Sequence, residues 1–121
     1  MTQAAEAYGK AASRTFSPRE MEADKLLFAA AQLQGIRDSW DDKKSELGAA
    51  LLNNRKLWSV LVTSVTRPEN PLPAAVRQNV ANLGIFVLKQ TINTLADPKP
   101  ESLGSLININ RELASGLLGR A

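Results

Sequence analysis

Residues 70–91, NPLPAAVRQNVANLGIFVLKQT, most constrain the fold, because two prolines open a helix that is apolar on two sides. At helical spacing, one stripe comprises Val76, Val80, Leu83 and Val87, and a second, offset stripe comprises Ile85, Leu88, Ile92 and Leu95. A surface helix needs only one apolar stripe, so we expect neighbours to cover this helix on both sides and the other segments to pack around it. Gly84 lies where the stripes meet and would admit another backbone, at about 1 kcal/mol of helix propensity.

Three further segments repeat apolar residues at three- and four-residue steps and therefore also predict helices. Together with the first segment, the expected helices span residues 18–39, 45–66, 73–95 and 100–118. Ser17 is a good helix cap and Pro18 is tolerated at a first helical position. Prolines between residues 67 and 73, and again between 96 and 100, separate the later helices.

The chain of 121 residues predicts a single all-α domain, a small antiparallel bundle of about four main helices. Short connections favour antiparallel neighbours. Residues 1–15 are rich in alanine, and we expect a short N-terminal helix there that docks loosely.

Composition excludes several classes of function. The chain has no cysteine and no histidine, which rules out disulfides, thiol nucleophiles and histidine-based metal sites or triads. The close carboxylate pairs lie in polar surroundings typical of solvated surfaces, so we expect no enzyme activity and no cofactor. The start of the chain lacks the apolar core of a secretory signal, and no apolar run approaches the ~20 residues of a membrane span. A soluble, cytoplasmic protein is expected.

Polar residues interrupt two of the apolar stripes. Asn54 lies within the stripe of the second helix and Asn110 within that of the last, so each is either a bonded core residue or a contact in a binding groove. Trp58 is either a core residue or a partner-binding anchor. The proline-rich residues 67–73 form either a rigid corner of the bundle or a preordered docking edge.

An ordered set of motifs resembles the flagellar biosynthesis regulator FlaF family of alphaproteobacteria. The motifs are residues 17–22 (SPREME), 54–58 (NRKLW), 70–73 (NPLP) with Arg77, 84–91 (GIFVLKQT), 106–111 (LININR) and 116–117 (GL). The resemblance covers nearly the whole chain and preserves order and spacing. It implies a small cytoplasmic all-α protein that promotes flagellin production and works as a flagellin secretion chaperone, alongside the flagellin-translation regulator FlbT.

The resemblance and the polar interruptions together suggest a partner-binding surface. Its candidate residues are Asn54, Leu57, Trp58, Asn70, Pro71, Leu72, Pro73, Asn108, Asn110 and Arg111. A bundle with an open apolar groove can cover an amphipathic flagellin segment. An exposed groove of this kind also favours homodimers.

A second hypothesis is post-transcriptional regulation of flagellin translation, through the flagellin mRNA or through FlbT. Residues 1–47 hold seven basic and eight acidic residues. Residues 48–121 hold eight basic and four acidic residues, so this second part carries a net charge of +4. Direct RNA contact is disfavoured, because aromatic residues make up 5% of the chain and do not alternate with basic ones.

Overall fold

The computed structural model describes residues 18–119. Within that range four long helices follow one another: α1 (Pro18–Asp38), α2 (Leu47–Val65), α3 (Ala74–Ala96) and α4 (Gly104–Leu117). No strand occurs in this part of the chain. The predicted all-α bundle with four main helices is confirmed. The expected short N-terminal helix and the helix cap Ser17 lie outside the described residues.

Helix α1 lies at the centre of the bundle. It packs along α4 and also against α2, whereas α3 packs mainly on α2 and touches α4 only slightly. The apolar side chains of α1 recur at helical steps, and six of them are at most 2% exposed: Ala23, Leu26, Ala29, Ala30, Leu33 and Ile36. Truncating one of the larger core side chains, such as Leu26 or Leu33, would cost about 2–5 kcal/mol.

Helix α3 is covered on one side only. Val80 and Val87 of its first stripe are buried, but Val76 of that stripe is 39% exposed. The second stripe, formed by Ile85, Leu88, Ile92 and Leu95, is between 43% and 58% exposed. The prediction that neighbours enclose α3 is therefore wrong. Helix α3 packs mainly on α2, and no other described helix covers its second stripe.

The connections are more helical than the sequence suggested. A single α-turn (Trp40–Lys43) and a 3₁₀ turn (Lys44–Glu46) join α1 to α2. A second 3₁₀ turn, Pro100–Leu103, precedes α4, so the α-helix itself begins at Gly104 instead of residue 100. This turn buries Leu103 completely. The side-chain amide of Gln90 donates to the Ser102 carbonyl at 2.9 Å, which ties α3 to the turn.

No helix between residues 18 and 119 has both the length and the apolar character that a bilayer span requires.

Gly84 lies in a tight contact between α2 and α3. A β-carbon built on Gly84 would clash with Cγ2 of Val62 and would also touch the ring of Trp58. Valine in a helix strongly prefers one χ1 rotamer, so Val62 cannot move aside freely. The glycine therefore makes room for the Val62 side chain of α2, whereas the sequence analysis expected another backbone at this position.

We expect Gly84→Ala to lower the free energy of unfolding by about 1 kcal/mol in urea denaturation. Overpacking costs about 1–3 kcal/mol, and the gain in helix propensity offsets about 1 kcal/mol of it. Gly48→Ala is the matched control in α2, because a β-carbon there would meet no atom beyond its own chain neighbours and helix backbone within 4 Å, and it should stabilise the protein. In a Val62→Ala background, Gly84→Ala should become stabilising. If it remains destabilising there, the clash with Val62 is not the cause.

Candidate functional site

The side chain of Asn110 joins three helices inside the core. Its Oδ1 accepts a hydrogen bond from Nε1 of Trp58 at 2.9 Å, and its Nδ2 donates to Oδ1 of Asn54 at 2.7 Å. The same Nδ2 lies 3.4 Å from the Leu26 carbonyl of α1. The two asparagines that interrupt the apolar stripes of α2 and α4 therefore satisfy each other across the bundle.

The two asparagines of this network are inaccessible to a partner in the folded bundle, and Trp58 is nearly so. Asn54 and Asn110 are 0% exposed and Trp58 is 2% exposed. The burial favours the core interpretation of all three residues over a direct contact in a groove. Nδ2 of Asn54 is buried with no hydrogen-bond partner among the described residues. The network therefore holds one buried donor without a partner among the described protein groups, and such a group costs about 1–3 kcal/mol.

We expect Asn110→Ala to destabilise the protein by about 3 kcal/mol, because it strands the Trp58 donor and the Asn54 acceptor in the core. Asn54→Ala should cost less, since it also removes the unpaired Nδ2 and leaves the Trp58–Asn110 bond in place. Asn108→Ala, at an exposed position on the same helix, should change stability by less than about 0.5 kcal/mol. Thermal and urea unfolding measure this order, and a larger loss for Asn54→Ala than for Asn110→Ala would contradict it.

The proline connector between α2 and α3 is organised by Asn70. Its Nδ2 donates to the carbonyl and the hydroxyl of Ser64, both at 3.1 Å, and its Oδ1 accepts from the backbone N–H of Leu72 at 3.0 Å. Asn70 thus bonds the last turn of α2 and shapes the loop at once. Leu72 is half-buried, while Pro71 and Pro73 are exposed. The connector is a rigid corner with two prolines at its surface.

The remaining candidates lie on other faces. Asn108 and Arg111 are exposed on α4, and Nη2 of Arg111 lies 3.3 Å from Oε1 of Gln34 on α1. Leu57 is half-buried at a groove between α1 and α2. The ten residues predicted from the sequence therefore do not form one site. They divide among the buried network, the proline corner, the outer face of α4 and the α1–α2 groove.

An open groove between α2 and α3 is the surface that the sequence reasoning missed. It has a volume of about 320 Å³ and is mostly apolar. Its lining residues are Arg55, Trp58, Ser59, Val62, Thr63, Ala81, Gly84, Ile85, Val87 and Leu88. The signal for it was present, because Ile85 and Leu88 belong to the second stripe of α3. That stripe was assigned to the core, whereas it borders an accessible groove.

A partly buried carboxylate lies where α1 meets the end of α2 and the connector. Glu22 lines a depression together with Arg19, Ser64 and Arg67. Burial raises the pKa of Glu22 above its ordinary value, and the nearby charge of Lys25 opposes part of this increase. Nowhere between residues 18 and 119 do three Asp or Glu side chains gather as metal ligands would.

We expect Glu22→Gln to stabilise the protein at neutral pH and to remove part of its pH dependence. A carboxyl whose pKa is raised on folding binds its proton more tightly in the folded state. The contribution of Glu22 to folding stability therefore becomes unfavourable as the pH rises from the ordinary pKa of 4.5 through the raised pKa of the folded state. Unfolding measured between pH 4 and 7 tests this, with Asp24→Asn at an exposed position as the control. An equal gain in stability from Glu22→Gln and Asp24→Asn would contradict burial as the cause of the raised pKa of Glu22.

The family model described as flagellar protein FlaF matches residues 4–117. The match covers nearly the whole chain and confirms the resemblance carried by the ordered motifs. Neither a curated protein nor a solved structure matches the chain.

Proposed function

Because this chain belongs to the flagellar protein FlaF family, we propose that it is a non-enzymatic regulator of flagellar biosynthesis that binds flagellin in the cytoplasm. It acts as a secretion chaperone and promotes flagellin production and export by covering an amphipathic flagellin segment. Such a segment would otherwise self-associate through its apolar stripe before export.

The open groove between α2 and α3 is the observation that carries this proposal. An amphipathic helix binds a protein by laying its apolar stripe in a groove lined by apolar side chains. The groove offers Val62 from α2 and Ile85 and Leu88 from α3, and Trp58 contributes to its lining. Leu88 is 43% exposed, so apolar surface is available for a partner to bury.

The buried network supports this role indirectly. Asn54, Asn110 and Trp58 hold α2 against α1 and α4, which keeps the α2 wall of the groove in place. Pro71, Pro73, Asn108 and Arg111 stay candidates for further surface contacts with flagellin or with FlbT, because they are exposed.

Regulation of flagellin translation through the mRNA or through FlbT is the alternative function. The observation that favours an RNA contact is the positive charge of helices α2 and α3, since neither of them contains an acidic residue. Against it, Trp58 is buried and unavailable for base stacking. An RNA complex would weaken steeply with salt, whereas an apolar groove would not.

We expect the purified protein to co-elute with monomeric flagellin in size-exclusion chromatography at both low and high salt. Leu88→Asp should abolish co-elution, because it places a charge in the apolar groove. Leu27→Asp is the matched control on α1, since Leu27 and Leu88 are 38% and 43% exposed. Circular dichroism checks that both variants are folded.

If no complex forms at low salt or at high salt, the result would contradict the proposed chaperone function. Equal loss of co-elution in both variants would show that the α2–α3 groove is not the flagellin site. A complex with the flagellin mRNA leader that is lost at high salt would support the alternative.

A further inference from the structure

Helix α3 presents an apolar seam, defined as Ile85, Leu88, Ile92 and Leu95. These side chains are 58%, 43%, 57% and 51% exposed. They recur at steps of three and four residues, the spacing with which one helix contacts another along its length. The seam extends over about 15 Å at 1.5 Å per residue. Four large apolar side chains in one line differ from the single exposed apolar residues that any protein surface carries.

The seam continues the groove between α2 and α3. Ile85 and Leu88 belong to both features, and Ile92 and Leu95 extend the line toward the end of α3. On α2, Leu52 is 48% exposed and lies three residues before Arg55, so it faces the same side of the helix. The groove and seam together therefore form a continuous apolar surface along about three turns of α3.

The charged residues within α2 and α3 have one sign. Helices α2 and α3 contain Arg55, Lys56, Arg77 and Lys89 and no aspartate or glutamate. Arg55 lines the groove on the α2 side. Lys89 is exposed and follows Leu88 by one residue, which turns it 100° around the helix to the solvent side of the seam. A partner lying along the seam would thus have a basic residue on each flank.

We propose that the groove and seam bind an amphipathic helix whose apolar stripe is bordered by acidic residues. The proposal deepens the function proposed above and rests on it, since it assigns a charge pattern to the flagellin segment that the groove covers. Complementary charges at the rim of an apolar contact direct the partner into the correct register and discriminate against others.

Two other occupants fit the charges less well. A second copy of the chain would place the basic α2–α3 surface against itself, and like charges facing each other disfavour the contact. The first seventeen residues of the chain contain one glutamate against one lysine and one arginine, so they lack the acidic character that the surface selects.

The groove between α1 and α2 is a natural comparison within the same molecule. It has a volume of about 480 Å³ and includes exposed apolar residues such as Phe28 and Val60. Its border carries both signs of charge, from Glu22 and Asp24 and from Lys25 and Lys56. It therefore has no preference for an acidic partner, and its residues serve as matched controls.

The test uses the full-length protein and two synthetic helical peptides of identical apolar stripe, one flanked by glutamate and one by lysine. Fluorescence anisotropy of the labelled peptides should give an affinity at least about fivefold higher for the glutamate peptide. Exposed ion pairs of its glutamates with Arg55 and Lys89 account for a difference of this size. The double variant Arg55→Glu/Lys89→Glu should reverse this preference. Lys56→Glu, on the α1–α2 groove, should leave it unchanged.

The apolar contact is tested with Ile92→Asp and Val60→Asp, at positions that are 57% and 63% exposed. Ile92→Asp should weaken binding of the glutamate peptide by about tenfold or more, since it removes a buried aliphatic side chain from the contact. Val60→Asp should leave binding unchanged. If Val60→Asp weakens binding and Ile92→Asp does not, the proposal is overturned and the binding site lies in the α1–α2 groove.

Three further outcomes would overturn the proposal. The first is equal affinity for both peptides. The second is a dimer in sedimentation that Ile92→Asp dissociates. The third is binding of anionic lipid vesicles that depends on Ile92, without binding of either peptide.

Flagellin co-elution with the same variants separates the two proposals. A flagellin complex that tolerates Ile92→Asp overturns the seam assignment alone, whereas glutamate-peptide binding without any flagellin complex overturns the proposed function alone.

Discussion

The amide of Asn110 is the interaction on which the arrangement of the bundle depends. It connects α4 to α2 through Trp58 and Asn54, and to α1 through the Leu26 carbonyl. An apolar core alone tolerates shifts of one helix along another, because dispersion and hydrophobic forces are not directional. Hydrogen bonds with fixed geometry in a dry interior remove that freedom, since a shifted register would leave their donors and acceptors unpaired.

Helix α3 packs mainly on α2, through Gly84 and the residues around it, and buries Val80 and Val87 in the shared core. A helix with two apolar stripes in that place must leave one of them exposed. The exposed stripe is therefore a consequence of the packing order, and it supplies the surface on which the proposed function depends.

Stability and binding are assigned to different parts of the molecule. The buried polar side chains of α1, α2 and α4 are Asn54 and Asn110, which bond each other, whereas the groove and seam of α3 face solvent. Substitutions at the seam are therefore expected to affect binding with little effect on folding. A chaperone benefits from this separation, because its binding surface can be apolar without depending on the partner to complete the core.

Much of this structure follows from the sequence. Helical periodicity predicted four helices, the stripes of α2 and α4 predicted their buried faces, and Asn54 and Asn110 were expected to need specific partners. These features are local, since they depend on residues three or four positions apart and on prolines that end helices. The ordered motifs also identified the family. The partners of Asn54 and Asn110 were not predictable, because the two residues are 56 positions apart and only the assembly of α1, α2 and α4 into one bundle brings them together.

Only the tertiary structure decided which apolar stripe is covered. In the sequence, Val80 and Val87 cannot be distinguished from Ile85 and Ile92, because all four are aliphatic residues at helical spacing. Burial depends on which helices lie beside α3, and that depends on contacts between residues distant in the chain. The sequence alone determined that α3 has two apolar sides, and the packing of α3 mainly on α2 determined that one of them faces solvent.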